Sequence, residues 1–149
     1  MDCDQKRRED MYILKTEQSF DSAHFLAGYE GKCRNLHGHR WKIEAEVWAD
    51  ELHKTGQLKG MVTDFGDFKQ DLLEIADFYD HALIAEEGTL KPETAKALES
   101  ENFRIIWVPF RPTAENFAKH FYNMLKEKGY QVYGVSVYET PNNCARYCE

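Results

Sequence analysis

A chain of 149 residues can bury one real apolar core, and 42% hydrophobic with 13% aromatic content excludes a disordered polymer. A formal charge of −7 speaks against a general nucleic-acid surface, which needs a basic patch, but leaves room for an anionic small molecule held by a local cluster. No apolar run approaches the roughly 18 residues of a membrane span, and "MDCDQKRRED" has no secretory apolar core. The chain therefore reads as cytoplasmic, with no membrane partner.

No repeat, low-complexity tract or linker divides the sequence. Residues 1 to 10 read as a loose charged tail and residues 11–149 as a single domain, with Met11 a candidate start. Tyr12 to about Phe25 reads as a first strand. From His37 through Val47 the odd positions are His37, His39, Trp41, Ile43, Ala45 and Val47, and Lys42, Glu44 and Glu46 fall between them. Side chains alternate across a strand, so both histidines head an inward apolar stripe. "LKGMVTDF", after a turn at Gly56, reads as an extension of this strand or its sequel.

Phe68, Leu72, Ile75 and Tyr79 recur at helical spacing, with Asp67 near the helix start and Asp80-His81 at its close. A further helical piece covers roughly Pro92 to Ser100. "FRIIWVPF" reads as a third strand, ended by Pro109 and Pro112. Thr113 suits the N-cap of a helix that buries Phe117, Phe121 and Met124 or Leu125, and Gly129 suits its C-terminal cap. "QVYGVSVYE" closes the pattern with Tyr133, Val135, Val137 and Glu139 in phase. Strands and helices in this order predict an α+β fold, a largely antiparallel sheet with helices on one face.

His37 and His39 point the same way from one strand, spaced to grip one ion, and His24 near the end of the preceding strand is the best third ligand. Three neutral histidines suit a catalytic Zn²⁺ with an open fourth position; the plainer alternative is a chance pair of core histidines. Cys33, four residues before His37, is either an inert small thiol or, near a cation, a base or nucleophile of lowered pKa. A carboxylate beside a histidine, Asp80-His81, can fix a tautomer for proton shuttling, although helix ends also carry histidine for dipole reasons. Glu139, an acid in phase with Val135 and Val137, is costly unless paired or bound to something. His53 and His120 lie on polar segments and read as surface residues. Cys3, Cys33, Cys144 and Cys148 contain no Cys-x-x-Cys pair and read as reduced.

With these residues in place, the chain resembles the 6-pyruvoyl-tetrahydropterin synthase family from Met11 to its C-terminus. The likeness is carried by "FDSAH", "CRNLHGH", "GMVTDF", "YDH", "PTAEN" and "VYET", six pieces in order. The Cys-x-x-x-His-Gly-His spacing resembles the carboxy-forming branch, since pyruvoyl-forming members usually place two more residues in that gap. One departure is "DHALIAEE", where many members have Leu-Asn after the Asp-His pair.

The resemblance implies a tunnelling fold of strand hairpins and helices, assembled as a homohexamer of two stacked trimers with active sites at subunit interfaces. It implies 7,8-dihydroneopterin triphosphate as substrate, and 6-carboxytetrahydropterin, acetaldehyde and triphosphate as products, within queuosine biosynthesis. It assigns Zn²⁺ to His24, His37 and His39, base catalysis to Cys33 and proton relay to His81 oriented by Asp80. Pterin contacts fall to Glu139, with Thr113 and Glu115 helping. The rival readings are a pyruvoyl-forming lyase, a cupin-type metal oxygenase and a pterin-binding protein without turnover. The cupin motif is approached by Gly31, His37, His39 and Glu44, but Glu51 stands where its closing glycine belongs, and Glu44 has the opposite strand parity to the histidines.

Overall fold

The computed structural model describes residues 10–149, so the tail expected over residues 1 to 10 lies, apart from Asp10, outside the described residues. The alternating segments form a hairpin of β1 (Tyr12–His24) and β2 (His37–Ala49), in register from Tyr12 opposite Ala49 to His24 opposite His37. The two-residue period puts Phe20, Ser22 and His24 on one face with Trp41, Ile43, Ala45 and Val47, all buried. The opposite face carries Asp21, Arg40, Lys42, Glu44 and Glu46. There Glu44 pairs with Lys42 at 3.2 Å and Lys15 at 3.9 Å. Its carboxylate therefore turns away from the histidines, as strand parity predicts, which removes the cupin ligand set.

Two amphipathic helices cover the apolar face. α1 (Phe65–Tyr79) is capped by Asp64, which accepts from Asp67 N, and buries Phe68, Leu72, Ile75, Ala76 and Tyr79. A later helix (Ala114–Glu127) starts at Thr113, whose hydroxyl accepts from Asn116 N at 3.3 Å. It buries Phe117, Phe121 and Leu125, with Met124 only partly buried. Gly129, at φ +100°, ends it as the left-handed residue of a Schellman closure. Gly129 N donates to Lys126 O, and Tyr130 N to Leu125 O. Phe20 stacks on Trp41 and meets Phe121 edge-on, so hairpin and helices share one aromatic core. Each such buried ring contributes about 1.5–3 kcal/mol.

Two strands were not expected. Ala82–Glu86 forms β3, parallel to the end of β1, with Ser22 opposite Ala82, and parallel to β4 (Ile105–Val108). Asn143–Tyr147 forms β6, an edge strand on β5 (Val132–Thr140). The sheet order is β4-β3-β1-β2-β5-β6, antiparallel over the hairpins and parallel at the β3–β4 end, so it is mixed. "ALIAE" escapes periodicity because parallel strands read as short continuous apolar runs, and this one follows the helix with no Gly or Pro between.

α2 (Pro92–Ser100) has the expected bounds, and the helix Ala114–Glu127 that follows it along the chain is α3. "LKGMVTDF" makes turns rather than a strand up to the start of α1. Among the described residues no helix is long and apolar enough to cross a membrane.

Cys33 and Cys144 are free thiols, but Cys148 is disulfide-bonded, against the expectation that all four cysteines are reduced. Four residues of strand put Cys144 and Cys148 about 13 Å apart, too far to bridge each other.

Candidate metal centre and proton-transfer dyad

Strand register assembles the first cluster. His24 is paired with His37, and His39 with Ser22, so all three imidazoles leave the sheet on the apolar side. Their ligand nitrogens all lie within 4.8 Å of one another. His24 Nδ1 donates to Pro112 O at 2.7 Å and His37 Nδ1 to Asn35 O at 2.6 Å. With each Nδ1 carrying the proton, both Nε2 atoms present lone pairs, and these face each other at 3.1 Å. Two facing lone pairs repel unless a cation or a shared proton lies between them.

His39 Nε2 is buried and makes no hydrogen bond, although Glu139 Oε1 stands 3.3 Å away. That distance suits an ion pair, but the angle does not suit a bond, so the nitrogen stays available. Burial, above all, pushes His24 and His39 below the ordinary imidazole pKa, which keeps them in the neutral form that binds metal. A buried orphan nitrogen beside two carbonyl-oriented ones fits a divalent transition ion held by three protein ligands. The rings of His24 and His39 rest edge-on against Trp41, which fixes the floor of the cluster.

The loop between β1 and β2 carries Cys33 in a short 3₁₀ turn, Lys32–Arg34. Its carbonyl accepts from Leu26 N at 2.9 Å, and its thiol is free and half-buried. The loop that delivers His37 to the cluster thus also presents the thiol.

Asp80 and His81 meet in space as well as in sequence. Asp80 caps the end of α1; its Oδ1 accepts from Asp21 N at 2.7 Å and its Oδ2 from His81 Nδ1 at 2.8 Å. The Asp21 amide, and then His81, hold the Asp80 carboxyl below its ordinary pKa. His81 sits in the left-handed region at φ +53°, rare for a residue with a Cβ, and its own N–H donates to Asp21 O at 2.6 Å. Ser22 Oγ adds a bond to the Tyr79 carbonyl. The tautomer this fixes puts the proton on Nδ1 and turns a free Nε2 outward from a ring that is 79% exposed.

The two clusters occupy opposite faces of the sheet. His81 lines a cleft of about 660 Å³ with Ala23, Gly38 and Arg40, the residues of opposite parity to the metal-site histidines. The chain at His39, between Gly38 and Arg40, forms part of its wall. Leu36, Leu98, Phe103 and Ile105 make the cleft largely apolar, and Leu36 and Phe103 are more than 60% exposed.

Glu139 lies at the end of β5, half-buried and beside His39, so the structure brings this acid to the metal cluster. Thr113 uses its hydroxyl as a helix cap, and Glu115 is exposed in the first turn of α3, where its charge suits the helix dipole. His53 is exposed as expected. His120 is not a surface residue: half-buried, it accepts from Tyr79 Oη at 2.8 Å, and burial lowers its pKa. The carbonyls of Pro112 and Asn35 orient the metal-site histidines, a role no sequence signal reveals because every residue has a carbonyl. Asp21, which holds the dyad through its backbone, carries one faint signal, an acid beside the buried positions of "FDSAH".

Fold and site together define an α+β protein with a three-histidine group that could hold a metal ion at a hairpin end and a separate hydrogen-bonded Asp80–His81 pair. The family model described as 6-pyruvoyl tetrahydropterin synthase matches residues 13–149, and the chain belongs to that family. It is 39% identical to the 6-carboxy-5,6,7,8-tetrahydropterin synthase of Haemophilus influenzae, over 93% of this chain and 100% of that protein. It is 34% identical to the Synechocystis protein of the same name, over 92% and 93% of the two chains. Among solved structures, an uncharacterized protein from Wolinella succinogenes has a TM-score of 0.72 at 24% identity, covering 95% of this chain and 99% of that one. The 6-pyruvoyltetrahydropterin synthase of Plasmodium vivax has a TM-score of 0.68 at 20% identity, with 95% and 99% covered. Both likenesses concern the fold.

Proposed function

We propose that the chain is a zinc-dependent lyase converting 7,8-dihydroneopterin triphosphate to 6-carboxy-5,6,7,8-tetrahydropterin, with release of acetaldehyde and triphosphate, in the cytoplasmic queuosine pathway. The carrying observation is the His24–His37–His39 cluster fed by a loop with a free thiol four residues before His37. Support for the carboxy product comes from the relatives of that name, which align over nearly the whole chain.

When bound by the three histidines, zinc supplies Lewis acidity toward the substrate's side-chain hydroxyls. Cys33 Sγ removes a side-chain proton as general base. His81 Nε2 exchanges protons with the substrate while Asp80 holds Nδ1–H in place. Glu139 accepts a paired hydrogen bond from the pterin's amino and ring N–H groups. Glu115 and Thr113 assist at the pterin end, Thr113 chiefly by capping α3.

The placement of His81 on the face opposite the metal histidines favours relay between subunits, the dyad of one copy serving the metal site of a neighbour. The exposed apolar rim around His81 suits burial against such a copy, in a homohexamer.

Incubation of the zinc-loaded protein with 7,8-dihydroneopterin triphosphate, followed by mass analysis, tests the reading. Acetaldehyde with the 6-carboxy product is expected. A pyruvoyl product without acetaldehyde would assign the chain to the pyruvoyl-forming reaction, and intact substrate would make it a binding protein.

A further inference from the structure

We infer that Arg104 is the anion-binding residue beside the dyad, and that its ligand is the polyphosphate of the substrate on which His81 acts. The inference deepens the proposed function and rests on it for the identity of the ligand.

A protein of net charge −7 that takes a triphosphate must offer local positive charge where the phosphates lie. The cations on the open sheet face are mostly spent on acids. Arg40 faces Asp21 at 3.6 Å, Lys42 faces Glu44 and Glu17, and Arg146 faces Glu46 at 3.2 Å. Arg104 differs: among the described residues no carboxylate lies within ion-pair distance of it, and it lines the same cleft as His81.

Arg104 is also held in position. Its Nη1 donates to the Asp80 carbonyl at 3.2 Å, and its guanidinium lies over the Phe78 ring at 5.1 Å. Its backbone is tied by Leu83 N, which donates to Arg104 O at 3.0 Å. One turn, Phe78 to His81, therefore fixes both the proton relay and the guanidinium. A guanidinium fork that is unneutralised, stacked and pre-oriented suits two-point recognition of phosphate oxygens, with little ordering cost on binding. Its place beside His81 puts positive charge where the departing triphosphate gathers negative charge.

Calorimetric titration of the zinc-loaded protein with inorganic triphosphate, with zinc content and melting temperature checked for every variant, tests this without turnover. R104Q should weaken binding about ten- to hundredfold, the range for a lost bond to a charged group. R104K should recover part of that loss, because charge returns without the fork. R40Q removes the same charge from the same cleft and should change affinity less than about threefold, as an exposed, paired charge does. R104Q binding like the parent, or equal losses in R40Q and R104Q, overturns the assignment.

The two readings fail separately. Arg104-dependent triphosphate binding without acetaldehyde formation rejects the lyase and keeps this site. Acetaldehyde formation with an R104Q titration equal to the parent rejects this site alone.

Discussion

Replacing Asp80 by asparagine leaves side-chain volume almost unchanged but removes the charge that receives two bonds, from Asp21 N at 2.7 Å and His81 Nδ1 at 2.8 Å. The amide oxygen can still accept from Asp21, but its NH₂ then meets the Nδ1–H of His81. Relief comes by moving the imidazole proton to Nε2, so the outward nitrogen can no longer accept one. General acid–base groups contribute about 10²–10⁴ in rate, so kcat should fall by about that factor with zinc content unchanged.

Bonds to charged groups contribute about 1.5–3 kcal/mol, but the Asp80 side chain is 35% exposed, so solvent screening reduces the expected stability loss to about 1 kcal/mol. The folded carboxyl lies below its ordinary value of 3.8. Its stabilisation is thus complete above that value and lost as pH falls through the lower folded pKa. Product mass analysis gives kcat, and melting curves from pH 5 down to pH 2 give the stability term. A D80N enzyme with kcat within threefold of the parent, or with the same acid-side loss of stability, refutes the reasoning.

Three further outcomes follow from the same geometry. C33A should abolish turnover with zinc still bound; full activity would remove the thiol from the base role. H37A should lose zinc by at least tenfold in affinity, and zinc retained unchanged would take His37 out of the ligand set. His120 sits below its usual imidazole value through burial, partly opposed by Glu127, so its contribution is present above pH 6.5 and lost as pH falls. H120Q keeps an acceptor for Tyr79 without titrating, so its melting temperature should decline less than the parent's between pH 6.5 and 5, and an identical decline contradicts that assignment.

Much of the site was legible because its parts are local. His37 and His39 share a face through the two-residue strand period alone, and "CRNLHGH" places the thiol at a fixed short distance along the chain. Phe68 through Tyr79 and Phe117 through Leu125 announced their helices by 3.6-residue spacing, and α2 announced itself through Pro92 at its first turn. β3 and β6 did not, since five-residue strands rely on partners distant in sequence rather than on a period of their own.

What only tertiary structure decided were relations between distant segments. Pro112 supplies the carbonyl that orients His24 across 88 positions, and Asp21 supplies the amide that holds Asp80 across 59. No local pattern encodes a backbone partner so far away, because any residue can offer the same group. The same holds for the face on which the dyad opens. Sequence places Asp80 beside His81, but the α1–β3 turn and its bonds to β1 send His81 to the side opposite the metal histidines. The residue types of both clusters are therefore local properties of the chain, and their separation by a sheet is a property of its packing.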